Sequence, residues 1–138
     1  MTTTAAITAA LLLALLAAPL ARADGHGRPA IGEAQVELGK AIYAQSCSMC
    51  HGAALEGLGS FPVLVGAPFQ TRWQDRPLGE LFGFVSENMP LGAGGSLEPE
   101  VYAAAVAFIL ERNGIEPGDT PFDPEDEEAL GVVLAFGE

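Results

Sequence analysis

Five consecutive residues, Cys47-Ser48-Met49-Cys50-His51, constrain this chain more than anything else in it. Two thiols at this spacing, followed at once by an imidazole, are what covalent attachment of a c-type haem requires. The thiols add across the two vinyl groups, and the histidine presents a nitrogen to the iron. These are the only two cysteines in 138 residues, so nothing is left for a disulfide framework or a four-thiolate cluster. Two plainer uses of a C-x-x-C pair stand beside this one. A thiol redox pair belongs in a βαβ context, and no convincing strand flanks the motif. A structural zinc needs four ligands, whereas the chain offers two cysteines, His51 and one other histidine, His26, near the N-terminus. Haem attachment is the expectation, with a thiol pair or metal site as the alternatives.

The N-terminal residues agree with it. Residues 5–21 form an apolar run rich in Ala and Leu, followed by Ala21-Arg22-Ala23 before Asp24. That is the pattern of a secretory signal peptide with a small-residue cleavage site. The departure from pattern is Met1-Thr2-Thr3-Thr4, which carries no Lys or Arg. The alternative is a membrane anchor. The run is short for a span of about 20 residues, and Pro19 sits near its end. Cleavage after Ala23 is expected, with no stable membrane span afterwards and a periplasmic location. Residues 24–138 would keep all 18 acidic residues and five of the six basic ones, a formal charge of −13. Such a balance argues against nucleic acid as a partner. It suits either a basic docking partner or plain solubility.

Along the chain, residues 24–32 read as a flexible lead, residues 33–114 as a single domain and residues 115–138 as an acidic tail. A helix is predicted from Glu33 to about Cys47, where Val36, Leu38, Ile42 and Tyr43 include helically spaced apolar positions. Glycines and prolines from Gly52 to Pro68 predict a loop. A short helical turn is expected over Phe69–Gln74. Another helix should begin with Pro77 as its first residue and run to about Asn88, presenting Leu78, Leu81, Phe82 and Val85. The clearest helix runs from Pro99 to Asn113, with Gly114 as its cap. Val101, Tyr102, Ala105, Phe108 and Ile109 form its apolar face. The tail holds five acidic residues in Asp123–Glu128, then an apolar stretch, Ala129–Phe136, able to pack against something. With no internal repeat and no second C-x-x-C-H, one haem is expected.

An iron held by His51 has one axial position left. Met1 should leave with the signal peptide. Met49 lies between the attachment cysteines, where it cannot reach the opposite haem face. Met89, in the turn Asn88-Met89-Pro90, is the expected sixth ligand, with His26 or an open position as alternatives. A thioether is soft and uncharged, and His/Met ligation raises the reduction potential.

At this point residues 33–114 resemble the class I cytochromes c, small monohaem electron carriers. Gly39-Lys40-Ala41-Ile42-Tyr43-Ala44-Gln45-Ser46-Cys47-Ser48-Met49-Cys50-His51 is similar to the family's first helix running into its haem motif. The resemblance implies an all-α fold of helices packed round the haem. It implies that Gly39 and Phe108 mark the crossing of the first and last helices. It further implies that the Pro62 carbonyl bonds the haem histidine, that the Trp73 indole meets a haem propionate, and that Arg72 or Arg76 neutralises one. Pro62 as loop punctuation, Trp73 as plain core and the arginines as solvated charges are the alternatives.

A narrower likeness covers Trp73–Phe82, Asn88-Met89-Pro90 and the last helix ending Leu110-Glu111-Arg112-Asn113-Gly114. These are similar to cytochromes associated with quinoprotein (PQQ-dependent) dehydrogenases. It implies a dehydrogenase as electron donor, and an oxidase or another cytochrome as acceptor. The chain itself carries no dehydrogenase domain. The function expected is one-electron transfer without enzymatic chemistry. The alternatives are a haem subunit permanently docked in an oxidoreductase complex, which an exposed Ala129–Phe136 would favour, or a haem enzyme or gas binder with an open iron site.

Overall fold

The computed structural model describes residues 28–137; the predicted signal peptide and His26 lie outside them. Six helices follow in order: α1 (Glu33–Ser46), α2 (Ser48–His51), α3 (Ala67–Trp73), α4 (Leu78–Asn88), α5 (Pro99–Arg112) and α6 (Glu127–Gly131). The described residues contain no β-strand, only two isolated bridges, Gly32 to Gly118 and Pro77 to Val133. The all-α expectation holds.

The fold is organised on the crossing of α1 and α5. Gly39 sits at the contact, and a Cβ there would overlap the Ala104 carbonyl oxygen and come within 2.9 Å of Phe108 Cβ. Only glycine lets the two backbones approach this closely. One turn further along α1, Tyr43 packs its ring against Phe108, with centroids 5.3 Å apart. Helix α5 is the centre of the core rather than a one-sided surface helix. Every residue from Tyr102 to Leu110 is buried, while Val101, expected on the buried face, is only half-buried. A helix enclosed on all sides needs small residues where neighbours press closely, which is the part of Ala103, Ala104, Ala105 and Ala107. It ends in two backbone bonds, Gly114 N–H to Glu111 O at 3.0 Å and Ile115 N–H to Leu110 O at 3.1 Å. Gly114 has φ +92°. This is a Schellman ending, with buried Ile115 and Leu110 as its apolar contact.

The other elements pack around this pair. Helix α4 lies on α5 through buried Leu78 and Leu81, and α6 lies on α4. Pro77 caps α4 in extended conformation (ψ 143°) rather than forming its first turn. Its fixed φ suits either position, and the carbonyl of an N-cap already accepts the first helical bond. Helix α3 begins two residues ahead of the expected turn, with Pro68 in its first turn, where a missing N–H costs nothing.

The chain on either side of the expected domain is part of the same body. Residues 29–32 are not free: Pro29, Ile31 and Gly32 are buried or nearly so, and Gly118 N–H donates to Ile31 O at 2.8 Å. Gln35 then grips Phe122 as a strand partner would, donating to its carbonyl at 2.7 Å and accepting from its N–H at 2.9 Å. The acidic tail leads into a strap across the corner between α3 and α4. Leu78 N–H donates to Val132 O, Leu134 N–H to Arg76 O, and Asp75 N–H to Leu134 O, at 2.8, 2.9 and 2.9 Å. Leu134 is wholly buried, and Phe136 packs edge-on against Phe69 at 5.8 Å.

Candidate haem site

Cys47 terminates α1 and caps α2, so the attachment motif is itself one short helical turn. The backbone N–H groups of Cys50 and His51 both donate to Cys47 O, at 3.1 and 3.0 Å, and close the turn. Both cysteines are free thiols and half-buried. Burial, and then the neighbouring Cys50, push the Cys47 thiol up from its ordinary value. Met49, between them, is 86% exposed, pointing away from the body of the protein.

His51 is buried, and its ring nitrogen Nδ1 lies 2.9 Å from the Pro62 carbonyl oxygen. A carbonyl accepts only, so Nδ1 carries the proton and the lone pair is left on Nε2. The backbone after the motif is fixed on both sides. Gly57 N–H donates to His51 O at 2.7 Å, and the Tyr43 hydroxyl donates to Gly52 O at 2.7 Å. Gly52 has φ +83°, and a side chain there would strike the Glu56 carboxylate. Glu56 is occupied by the Ala54 N–H at 2.8 Å. The loop carrying Pro62 is closed by Leu64 N–H to Leu55 O at 2.8 Å.

The far end of that loop is held by Asn113, a residue that sequence reasoning treated only as the end of α5. Its amide donates to Leu64 O at 2.9 Å and to Ile109 O at 2.8 Å, and its Oδ1 accepts from Gly66 N–H at 2.9 Å. No local pattern signals such a role, since its partners lie 47 and 49 residues away. Tyr43 and Tyr102 were likewise read only as apolar helix positions. Their rings are buried, but each hydroxyl holds a backbone carbonyl.

Met89 is the C-cap of α4, half-buried, with its N–H on Val85 O at 2.9 Å. Its carbonyl accepts from the Tyr102 hydroxyl at 2.7 Å. Trp73, Arg72 and Arg76 form a cluster with Phe84. The Trp73 indole is buried, with the Phe84 ring 5.7 Å away. The Arg72 guanidinium lies over Trp73 at 5.3 Å and over Phe84 at 5.0 Å, and that of Arg76 over Trp73 at 4.7 Å. The two arginines differ in one respect. Arg76 Nε is bonded to Glu80 at 2.7 Å, whereas Arg72 has no acidic partner among the described residues. Trp73 and Cys47 share one core cluster, but no hydrogen bond or ring contact among the described residues links the Trp73 group to His51 or Met89.

The donor set fits a covalently held haem. Two unpaired thiols stand on one helical turn, beside a buried imidazole with one nitrogen engaged and the other free. Among the described residues there is no cluster of three or more His, Cys, Asp or Glu able to hold a metal ion. Helical packing, the Gly39 crossing and the C-x-x-C-H turn together define a c-type cytochrome domain of class I, with one covalent haem c and an electron-transfer role. The chain belongs to the family described as cytochrome c oxidase, cbb3-type, subunit III, whose model matches residues 34–109, more than half its length. Among solved structures it is similar to a chain of the sulfane dehydrogenase SoxCD from Paracoccus pantotrophus, at 36% identity and a TM-score of 0.54. The match covers 70% of this chain and 52% of that one, so this chain spans about half the length of that relative. No curated protein matches it. Among the described residues, no helix is long and apolar enough to cross a membrane.

Proposed function

We propose that this protein is an exported, periplasmic one-electron carrier that takes electrons from a dehydrogenase and passes them towards an oxidase or another cytochrome. The observation that carries this reading is the environment of His51. A buried imidazole fixed by the Pro62 carbonyl through Nδ1, on the same turn as two thiols, is built to hold a metal-bound cofactor rigidly rather than to transfer protons. When bound there, haem supplies a reversible Fe(III)/Fe(II) couple. The chain's own residues do the rest. Cys47 and Cys50 hold the group covalently, and His51 Nε2 and the Met89 sulfur bind iron. Pro62 orients the ligand and makes it more basic. Trp73 meets a propionate. Arg72, without a carboxylate of its own, is better placed by charge than Arg76 to pair with one. No bond in a substrate is made or broken.

Two donor classes are in view: quinoprotein dehydrogenases, from the sequence resemblance, and a sulfane dehydrogenase, from the likeness to the SoxCD chain. A freely diffusing carrier is favoured over a permanently docked subunit. Ala129–Phe136, the segment that would have marked a docking surface, is folded onto α4 and the α3–α4 corner of its own domain.

The test is redox titration of the matured protein, followed by its spectrum. One electron should be taken up reversibly, and the oxidised form should show the weak long-wavelength sulfur-to-iron band. Met89→Ala should abolish that band and lower the reduction potential, because a soft ligand favouring Fe(II) is removed. A variant that keeps both band and potential would show that Met89 is not the ligand, and turnover of peroxide by the unmodified protein would favour the open-site enzyme.

A further inference from the structure

We infer that Tyr102 is a positioning residue for the Met89 sulfur. It acts by tying both ends of the loop 89–97 to helix α5, and the inference rests on the reading of Met89 as axial ligand given above. Tyr102 is 3% exposed in the first turn of α5. Its hydroxyl donates to Met89 O at 2.7 Å and accepts from Leu97 N–H at 3.4 Å. One phenol therefore joins the residue that opens the loop to the residue that closes it.

The loop needs such a tie. Residues 91–96 are all exposed, and three of them, Gly92, Gly94 and Gly95, are glycines. Gly92 and Gly95 have φ of +84° and +74°. Glycines widen the range of conformations open to a free chain. The remaining anchors are few: Gly95 N–H on Ser86 O at 2.7 Å, Ala93 N–H on Pro90 O at 2.8 Å, Ser96 N–H on Ala93 O at 3.2 Å, and the close seat of Gly94 on the Glu87 carbonyl. None of them touches the Met89 carbonyl. With its N–H held by Val85 and its carbonyl held by Tyr102, the Met89 backbone is fixed on both sides. Its side chain then searches only its own torsions. A methionine has three flexible bonds and reaches a fixed point reliably only from a fixed backbone. A phenylalanine at position 102 would fill the same core volume, so the hydroxyl is the part of Tyr102 that packing alone does not require.

The experiment is a titration of the oxidised, matured, full-length protein with imidazole, which competes for the sixth position. Wild type, Tyr102→Phe and Gln35→Ala are compared. Gln35→Ala serves as the control, because it also deletes a side chain that holds a backbone carbonyl, that of Phe122, outside both the haem motif and the Met89 loop. Loss of one net hydrogen bond should raise the apparent affinity for imidazole about fivefold in Tyr102→Phe, the equivalent of about 1 kcal/mol. The sulfur-to-iron band should vanish at correspondingly lower imidazole. Gln35→Ala should titrate as wild type. Amide exchange provides a readout independent of the iron: Leu97 N–H should lose protection in Tyr102→Phe alone. The inference is overturned if Tyr102→Phe titrates as wild type, or if Gln35→Ala shifts by the same factor. A wild-type protein with no sulfur band, or with one that survives Met89→Ala, would instead overturn the ligand assignment, and the positioning role with it.

Discussion

Asn113, which caps the C-terminus of the long central helix, holds the Leu64 carbonyl at 2.9 Å and so fastens the loop that brings Pro62 to His51. The same side chain accepts from Gly66 N–H at 2.9 Å and is itself 4% exposed. The haem-side loop is thus anchored to the core by one amide that satisfies three backbone groups at once.

Asn113→Ala should therefore cost about 2–3 kcal/mol, because buried donors and acceptors are left without partners. Chemical denaturation of the matured protein measures this. Asn113→Asp should do no better, since a carboxylate cannot donate to Leu64 O or Ile109 O.

Gly39→Ala should be more severe than its size suggests. The added methyl overlaps the Ala104 carbonyl oxygen, which belongs to a helix buried on all sides and unable to retreat. A loss of about 3 kcal/mol or more is expected, with poor recovery of matured protein. A melting temperature within a few degrees of wild type would show that the helices separate easily.

Stability should fall at high pH through Tyr43. Burial pushes its phenol up to about 12, from an ordinary 10. A second cause, the charge of Cys47, disappears once that sulfur is a thioether, but burial remains. Between pH 10 and about 12 the unfolded chain loses this proton while the folded protein retains it. The folded state is then the one that binds more protons, so unfolding becomes easier as pH rises. The contribution is fully present below pH 10 and lost by about 12. Denaturation midpoints across this range should decline less steeply in Tyr43→Phe than in wild type.

Leu134→Ala should cost about 3 kcal/mol by leaving a cavity under the strap. The side chain is wholly enclosed, and its backbone bonds Arg76 and Asp75. Asp75 and Leu78 amide exchange should accelerate with it. A tail that served only to carry charge would show neither effect.

The site's covalent part was legible because it is local. Cys47, Cys50 and His51 are neighbours in sequence, and one helical turn brings them together. Helices α1, α4 and α5 were legible from periodicity and from the Gly114 ending. The Gly39–Phe108 crossing came with the family resemblance. Contacts between residues far apart in the chain were not legible. Gln35 on Phe122, Asn113 on Leu64 and Leu134 on Arg76 join ordinary polar or apolar residues whose partners no local pattern announces. For the same reason residues 29–32 read as a free lead, although they pair with Gly118. The apolar Ala129–Phe136 was legible as a stretch able to pack, but its partner, the α3–α4 corner, was not. Helix α5 looked one-sided because alanine is ambiguous: it is small enough for a surface and small enough for a crowded core.

The most direct test of the account is the intact mass of the exported protein matured with haem-attachment machinery. One haem should be added to the chain, and it should survive acid and organic extraction. Cys47→Ser with Cys50→Ser should abolish it. A mature chain at apo mass, or a pigment that washes out, would contradict the assignment of Cys47-Ser48-Met49-Cys50-His51 as a covalent haem site.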